Sequence, residues 1–105
     1  KEQVKSNLIN LLLTESGERI NEPNFGVGLK KLLFEPNLDV EILKEKISTQ
    51  IEFYIPTISL LDIDVNFIEN EYKLFIVISY SFNLDGSSDA IQLNFNSSYF
   101  PRGNG

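Results

Sequence analysis

Apolar positions recur along this chain with two different periods. Val4, Leu8, Leu11 and Leu12 are spaced i, i+4, i+7, i+8, with Asn7 and Asn10 off that stripe. The spacing predicts a helix over residues 3–13, ended by residues 14–17 with Gly17 as a left-handed cap. Residues 28–34 can form a short helix that presents Leu29, Leu32 and Leu33 and is broken by Pro36. The stretch NLDVEILKEKISTQIEFYI is the clearest helix, since Val40, Leu43, Ile47, Ile51 and Tyr54 step by three and four along one stripe. Asn37 or Asp39 can cap its start, Glu41 favours the helix dipole, and Pro56 stops it. At about 1.5 Å per residue it would be roughly 22 Å long.

Beyond Pro56 the period changes to two. Leu61, Ile63, Val65 and Phe67 alternate with Asp62, Asp64 and Asn66, the pattern of a half-buried strand with a wet face. ENE makes a turn. Tyr72, Leu74, Ile76, Ile78, Tyr80 and Phe82 then alternate again, while Phe75 and Val77 make the other face partly apolar. That strand is expected to be central and covered on both sides. DGSSD supplies a second turn, and Ile91, Leu93 and Phe95 mark a third, shorter strand. The expected fold class is α+β: N-terminal helix, glycine-rich brace with a short helix, long helix, then a three-stranded antiparallel β meander. Residues 1–105 are expected to form one domain, with 101–105 a flexible tail.

The wet face of the third strand is Gln92, Asn94 and Asn96, uncharged amides with neither Lys nor Pro to guard the edge. Such an edge is either open to a partner strand by augmentation or covered within the domain. Pattern alone leaves both open.

Composition removes several functions. The chain has no Cys, so it has no disulfide framework and no thiolate metal site, which fits a reducing compartment. It has no His, the commonest general base and metal ligand. A net charge of −6 argues against binding a nucleic-acid backbone. No apolar run approaches bilayer length and no signal peptide opens the chain, so no membrane partner is expected. With no Met anywhere, Lys1 is not expected to be the natural start.

The remaining candidates for chemistry have plainer explanations. Asp62 and Asp64 point the same way and could share a cation, but no third ligand stands with them. The 85–89 loop lacks the ligand spacing of a calcium hand, and Asp-Gly is a routine hairpin signal. Gly26-Val27-Gly28 before Lys30 and Lys31 lacks the strand, the third glycine and the G-K-[ST] of a phosphate loop. Paired carboxylates could serve a glycosidase, with Glu18 the least implausible acid, yet none sits in an apolar setting that would raise its pKa, Arg19 beside Glu18 can ion-pair elsewhere, and an ion pair holds a carboxylate ionised. No catalytic residue, cofactor, metal or small-molecule ligand is expected.

One segment carries more than a connector needs: LLLTESGERINEPNFGVGLKKLLFEP. An apolar helix end leads to Thr-x-x-Gly-Glu-Arg, then Pro-x-Phe-Gly, then Leu and a Leu-Phe pair. The positions are Thr14, Gly17, Glu18, Arg19, Pro23, Phe25, Gly26, Leu29, Leu33 and Phe34. Fixed residue types at fixed spacing make this pattern specific. It resembles the lysozyme-like baseplate wedge family, which includes sheath-initiator proteins of contractile-tailed phages, contractile bacteriocins and type VI secretion baseplates. The helix and meander that follow match in order, so the resemblance spans nearly the whole chain.

The segment suits a rigid brace between the first helix and the short one. Gly17 and Gly26 permit backbone that a side chain forbids, Phe25 buries a ring, and Glu18 and Arg19 tie the loop by charge-assisted hydrogen bonds. The resemblance implies a virion structural protein of the tail baseplate, assembled in the bacterial host cytoplasm, or a cytoplasmic one if it serves a secretion system. Its implied partners are other baseplate wedge proteins and the tail sheath, with the tail tube a further candidate. It would initiate sheath assembly by offering a strand edge, for which Gln92, Leu93, Asn94, Phe95 and Asn96 are the expected contact. The family commonly has Glu-Pro-Arg after an aromatic at the end of the long helix, a motif implied in docking to wedge subunits. Here the stretch is Tyr54-Ile55-Pro56-Thr57, so an apolar contact is expected in its place. Two other readings stand beside this one: a peptidoglycan-cleaving enzyme of lysozyme type, and a soluble strand-pairing adaptor.

Overall fold

A computed structural model of the chain describes residues 2–68 and 73–95, the side chain of Phe67 excepted. Its fold class is α+β. Three helices, α1 (Glu2–Leu13), α2 (Leu29–Leu33) and α3 (Val40–Tyr54), precede three strands, β1 (Ile58–Ile68), β2 (Lys73–Phe82) and β3 (Ser88–Phe95). The strands form one antiparallel sheet in the order β1-β2-β3. Tyr72, the ENE turn, Asn96 and the 101–105 tail lie outside the described residues.

Each element follows from its apolar period. Leu8, Leu11 and Leu12 of α1 are fully buried, and so are Ile47 and Ile51 of α3, with Leu43 nearly so. Asp39 is the cap of α3: its carboxylate accepts from the N–H groups of Glu41 (3.0 Å) and Ile42 (3.3 Å), two of the donors a helix start leaves unpaired. Val40, the first helical residue, remains 39% exposed rather than joining the buried stripe. Leu74, Ile76, Ile78, Tyr80 and Phe82 of β2 alternate with half-buried residues and meet the helices in one apolar cluster.

Two expectations are corrected. Gly17 has φ +97° but does not cap α1; the helix ends at Leu13, and Gly17 N–H bonds the Pro23 carbonyl (2.9 Å) inside the brace. The closing bond is the Thr14 hydroxyl to the Asn10 carbonyl (2.7 Å). Leu61 does not share the buried face with Ile63. A β-bulge between Leu60 and Asp62 inserts one residue, so Leu60 faces inward before it, Ile63 faces inward after it, and Leu61 is 51% exposed. β2 is central, as expected; its inward residues belong to the core cluster, and Phe75 and Val77 on its other face are half-buried.

Candidate functional site: a glycine-rich brace and two edge strands

Residues 14–28 are irregular in backbone yet closely hydrogen-bonded. Val27 N–H reaches the Leu11 carbonyl (3.0 Å) and Gly28 N–H the Thr14 carbonyl (2.9 Å), so the loop folds back on the end of α1. Gln50 of α3 holds it from the other side. Its amide oxygen accepts from Gly26 N–H (2.9 Å) and its amide nitrogen donates to the Asn24 carbonyl (2.9 Å). The Ser16 hydroxyl donates to the Gly26 carbonyl (3.0 Å). Gly26 must be glycine: φ is +118°, and a Cβ there would stand on the Thr14 carbonyl, 2.8 Å from its carbon. The brace therefore ties α1 to α3 as well as to α2, a link that Gln50 makes across space and no motif in the sequence signals.

The charged and aromatic residues of the motif complete it. Glu18 carboxylate accepts from Glu15 N–H (2.7 Å). Arg19 pairs with Glu22 (2.7 Å), and its guanidinium lies 3.9 Å from the centre of the Phe25 ring. Phe25 meets Tyr54 edge-on (4.9 Å), and Tyr54 meets Phe53 in the same way (4.7 Å). Pro23 lends its carbonyl to Gly17, Leu29 is buried, and Phe34 stands edge-on to Phe95 of β3 (6.2 Å).

At the end of α3 the expected contact residues separate. Ile55 is only 7% exposed and belongs to the core, because the chain doubles back there; its N–H closes on the Ile51 carbonyl. Tyr54 is half-buried, while Pro56 and Thr57 are exposed. Phe53, which the helical stripe gave no reason to single out, is 75% exposed. Asn83 fastens the β2–β3 hairpin to this corner: its N–H donates to the Thr57 carbonyl (2.9 Å) and its side chain to the Pro56 carbonyl (3.0 Å). The fully exposed Leu84 follows it.

The two outer strands differ as edges. β1 carries the bulge, and Asp62 there pairs with Lys44 of α3 (3.4 Å). β3 pairs with β2 in unbroken register from Ser88 to Phe95. Its hairpin closes through Phe82 N–H to the Ser87 carbonyl (2.7 Å) and Gly86 N–H to the Phe82 carbonyl (2.8 Å), a bulge with Gly86 at φ +74°. Antiparallel pairing alternates from that pair, so residues 88, 90, 92 and 94 turn their N–H and C=O groups away from β2. Gln92 and Asn94 are exposed, with their side chains hydrogen-bonded to each other (2.9 Å). Leu93 and Phe95 face the core.

Among the described residues no group of three potential ligands could hold a metal. No described helix is long and apolar enough to cross a membrane. A hollow of about 610 Å³ along α3 is lined by Glu41, Lys44, Glu45, Ser48, Thr49 and Glu52 among others, and Glu18 is not one of them.

Three helices joined through an irregular, glycine-rich brace and followed by a three-stranded meander define an α+β domain of one recognisable kind. Residues 1–87 match the family described as baseplate wedge protein gp25, and the chain belongs to that family. It is 28% identical over 92 residues to baseplate wedge protein gp25 of Enterobacteria phage T4, covering 86% of this chain and 69% of that protein. Among solved structures it is similar to a putative tail lysozyme from Geobacter sulfurreducens, with TM-score 0.73 and 22% identity over 90% of this chain and 88% of the other. It is also similar to a chain of the baseplate complex of the type VI secretion system, with TM-score 0.61 and 16% identity over the same shares. The family match stops at Ser87, so β3 lies beyond it.

Proposed function

We propose that this chain is a structural component of a contractile tail or injection baseplate. It joins the wedge to the tail tube and initiates sheath assembly by lending the outer edge of β3 to a partner strand. The observation that carries this reading is the contrast between the two edges. β1 is kinked at its bulge, whereas β3 is regular, with exposed, uncharged amide side chains at Gln92 and Asn94. Backbone bonds would supply affinity there, and alternate side chains the register. Family membership supports the wedge setting, and the similar chain in a secretion baseplate complex supports a place among other baseplate subunits.

The corner at the end of α3 is the proposed wedge contact. With Ile55 in the core, Phe53, Tyr54, Pro56 and Thr57 are left to make it. No bond is made or broken in this role, and Glu18 works as a brace residue through the Glu15 amide. The protein would act in the tail baseplate of a particle assembled in a bacterial cytoplasm, or in the cytoplasm for a secretion machine. Coexpression with the wedge and sheath subunits of the same machine tests the reading: both should copurify with the chain. Copurification of neither would contradict it. Cell-wall clearing abolished by Glu18→Gln would establish the peptidoglycan enzyme instead.

A further inference from the structure

Resting on the reading of β3 as a receptive edge, we infer that Asp89, held by Lys5, is the stop that fixes the register of the incoming strand. Outward N–H groups fall at residues 88, 90, 92 and 94 of β3. Ala90 differs from Gln92 and Asn94: its N–H is already taken by the Asp89 carboxylate, Oδ1 at 2.8 Å. The other oxygen of the same carboxylate faces Lys5 Nζ of α1 at 3.5 Å. One side chain thus fills the outward donor next to it and is anchored to a helix outside the sheet.

A strand pairing with β3 needs acceptors opposite the outward N–H groups and donors opposite the outward carbonyls. At Gln92 and Asn94 no described residue takes either half of that exchange. At Ala90 the donor is occupied, and a partner carbonyl brought there would meet a carboxylate. Lone pair against lone pair, with no proton between them, is unfavourable. The ladder therefore ends at Gln92, and the strand must extend from there towards Asn94 and Phe95. A slip of two residues towards the hairpin would preserve side-chain facing, so the pleat alone cannot forbid it. Asp89 forbids it. The occupant is an extended segment of a partner protein that aligns its own polar backbone with Gln92 and Asn94.

Amide exchange measured residue by residue on the full chain tests this in two arms. In the free chain, Ala90 should exchange at least about tenfold more slowly than Gln92 and Asn94 after correction for intrinsic rates, the effect of one hydrogen bond. Asp89→Ala should abolish that difference, and Lys5→Ala should reduce it. Equal rates at the three amides, or a difference untouched by Asp89→Ala, would overturn the stop whatever the partner is. In the second arm the purified sheath subunit is added as probe. Gln92 and Asn94 should gain protection and Ala90 should not, whereas in Asp89→Ala the gain should spread to Ala90. New protection at Ala90 in the unaltered chain would overturn the stop and leave the edge reading intact. No new protection at any of the three would overturn the edge reading, and the stop's role with it.

Discussion

Replacing Gly26 with alanine should destabilise the protein by about 4 kcal/mol, and the structure divides that cost into parts. The backbone at Gly26 has φ +118°, a region that side chains rarely adopt, which costs about 1–3 kcal/mol. The new methyl would press on the Thr14 carbonyl, and overpacking of this sort costs about 1–3 kcal/mol. That carbonyl accepts from Gly28 N–H, so moving it weakens a bond worth about 1 kcal/mol. Gly17→Ala is the matched control, since φ is +97° there but nothing stands within 4 Å of the added carbon. It should incur only the strain, about 1–2 kcal/mol. Urea unfolding followed by circular dichroism measures both. In thermal unfolding the Gly26 variant should melt at least about 12 °C lower, at roughly 4 °C per kcal/mol for a chain of this size. If the two variants lose equal stability, the close approach of brace and helix described here is wrong.

Other outcomes follow from the same contacts. Gln50→Ala removes two hydrogen bonds to the brace and should cost about 2 kcal/mol in urea unfolding. Tyr80 has a buried hydroxyl with no hydrogen-bond partner among the described residues, so Tyr80→Phe should leave stability at pH 7 unchanged or raise it by up to about 1 kcal/mol. Burial first, then Asp89, pushes that hydroxyl above its ordinary 10.0, Lys5 opposing and Glu2 reinforcing. Its folded value exceeds its unfolded one, so its contribution is fully present below pH 10 and is lost as pH rises through the folded value. Stability measured against pH in both proteins should show a fall above pH 10 that Tyr80→Phe lessens. Phe53→Asp, at a site 75% exposed, loses the edge-on contact with Tyr54 and puts a negative charge in the last turn of α3, so it should cost about 1–2 kcal/mol while leaving the chain folded, yet abolish copurification of the wedge subunit.

Much of the fold was legible because burial and periodicity coincide. Leu8, Leu11, Leu12, Leu43, Ile47 and Ile51 announced their helices, and the alternation from Leu74 to Phe82 announced a central strand. The bulge was hidden because Leu61 is apolar, so the inserted residue leaves the alternation from Leu61 to Val65 looking regular. Burial of Ile55 was hidden because it follows the last helical turn, where the period of 3.6 no longer says which way a side chain faces. The brace was visible as a motif, but its anchor was not: Gln50 sits on a helix among polar residues and differs from them only in what it meets across space. Asp89 was equally silent, since only the register of β3 and the approach of α1 give its carboxylate a task.

The most direct test of the central claim is binding of the purified sheath subunit to Asn94→Pro. Proline removes the outward N–H of Asn94 while the bonds between β2 and β3, carried by the alternate residues, remain. The unfolding midpoint should stay close to that of the unaltered chain, and sheath affinity should fall at least tenfold, about 1.4 kcal/mol. Undiminished affinity in a folded Asn94→Pro protein would contradict that claim.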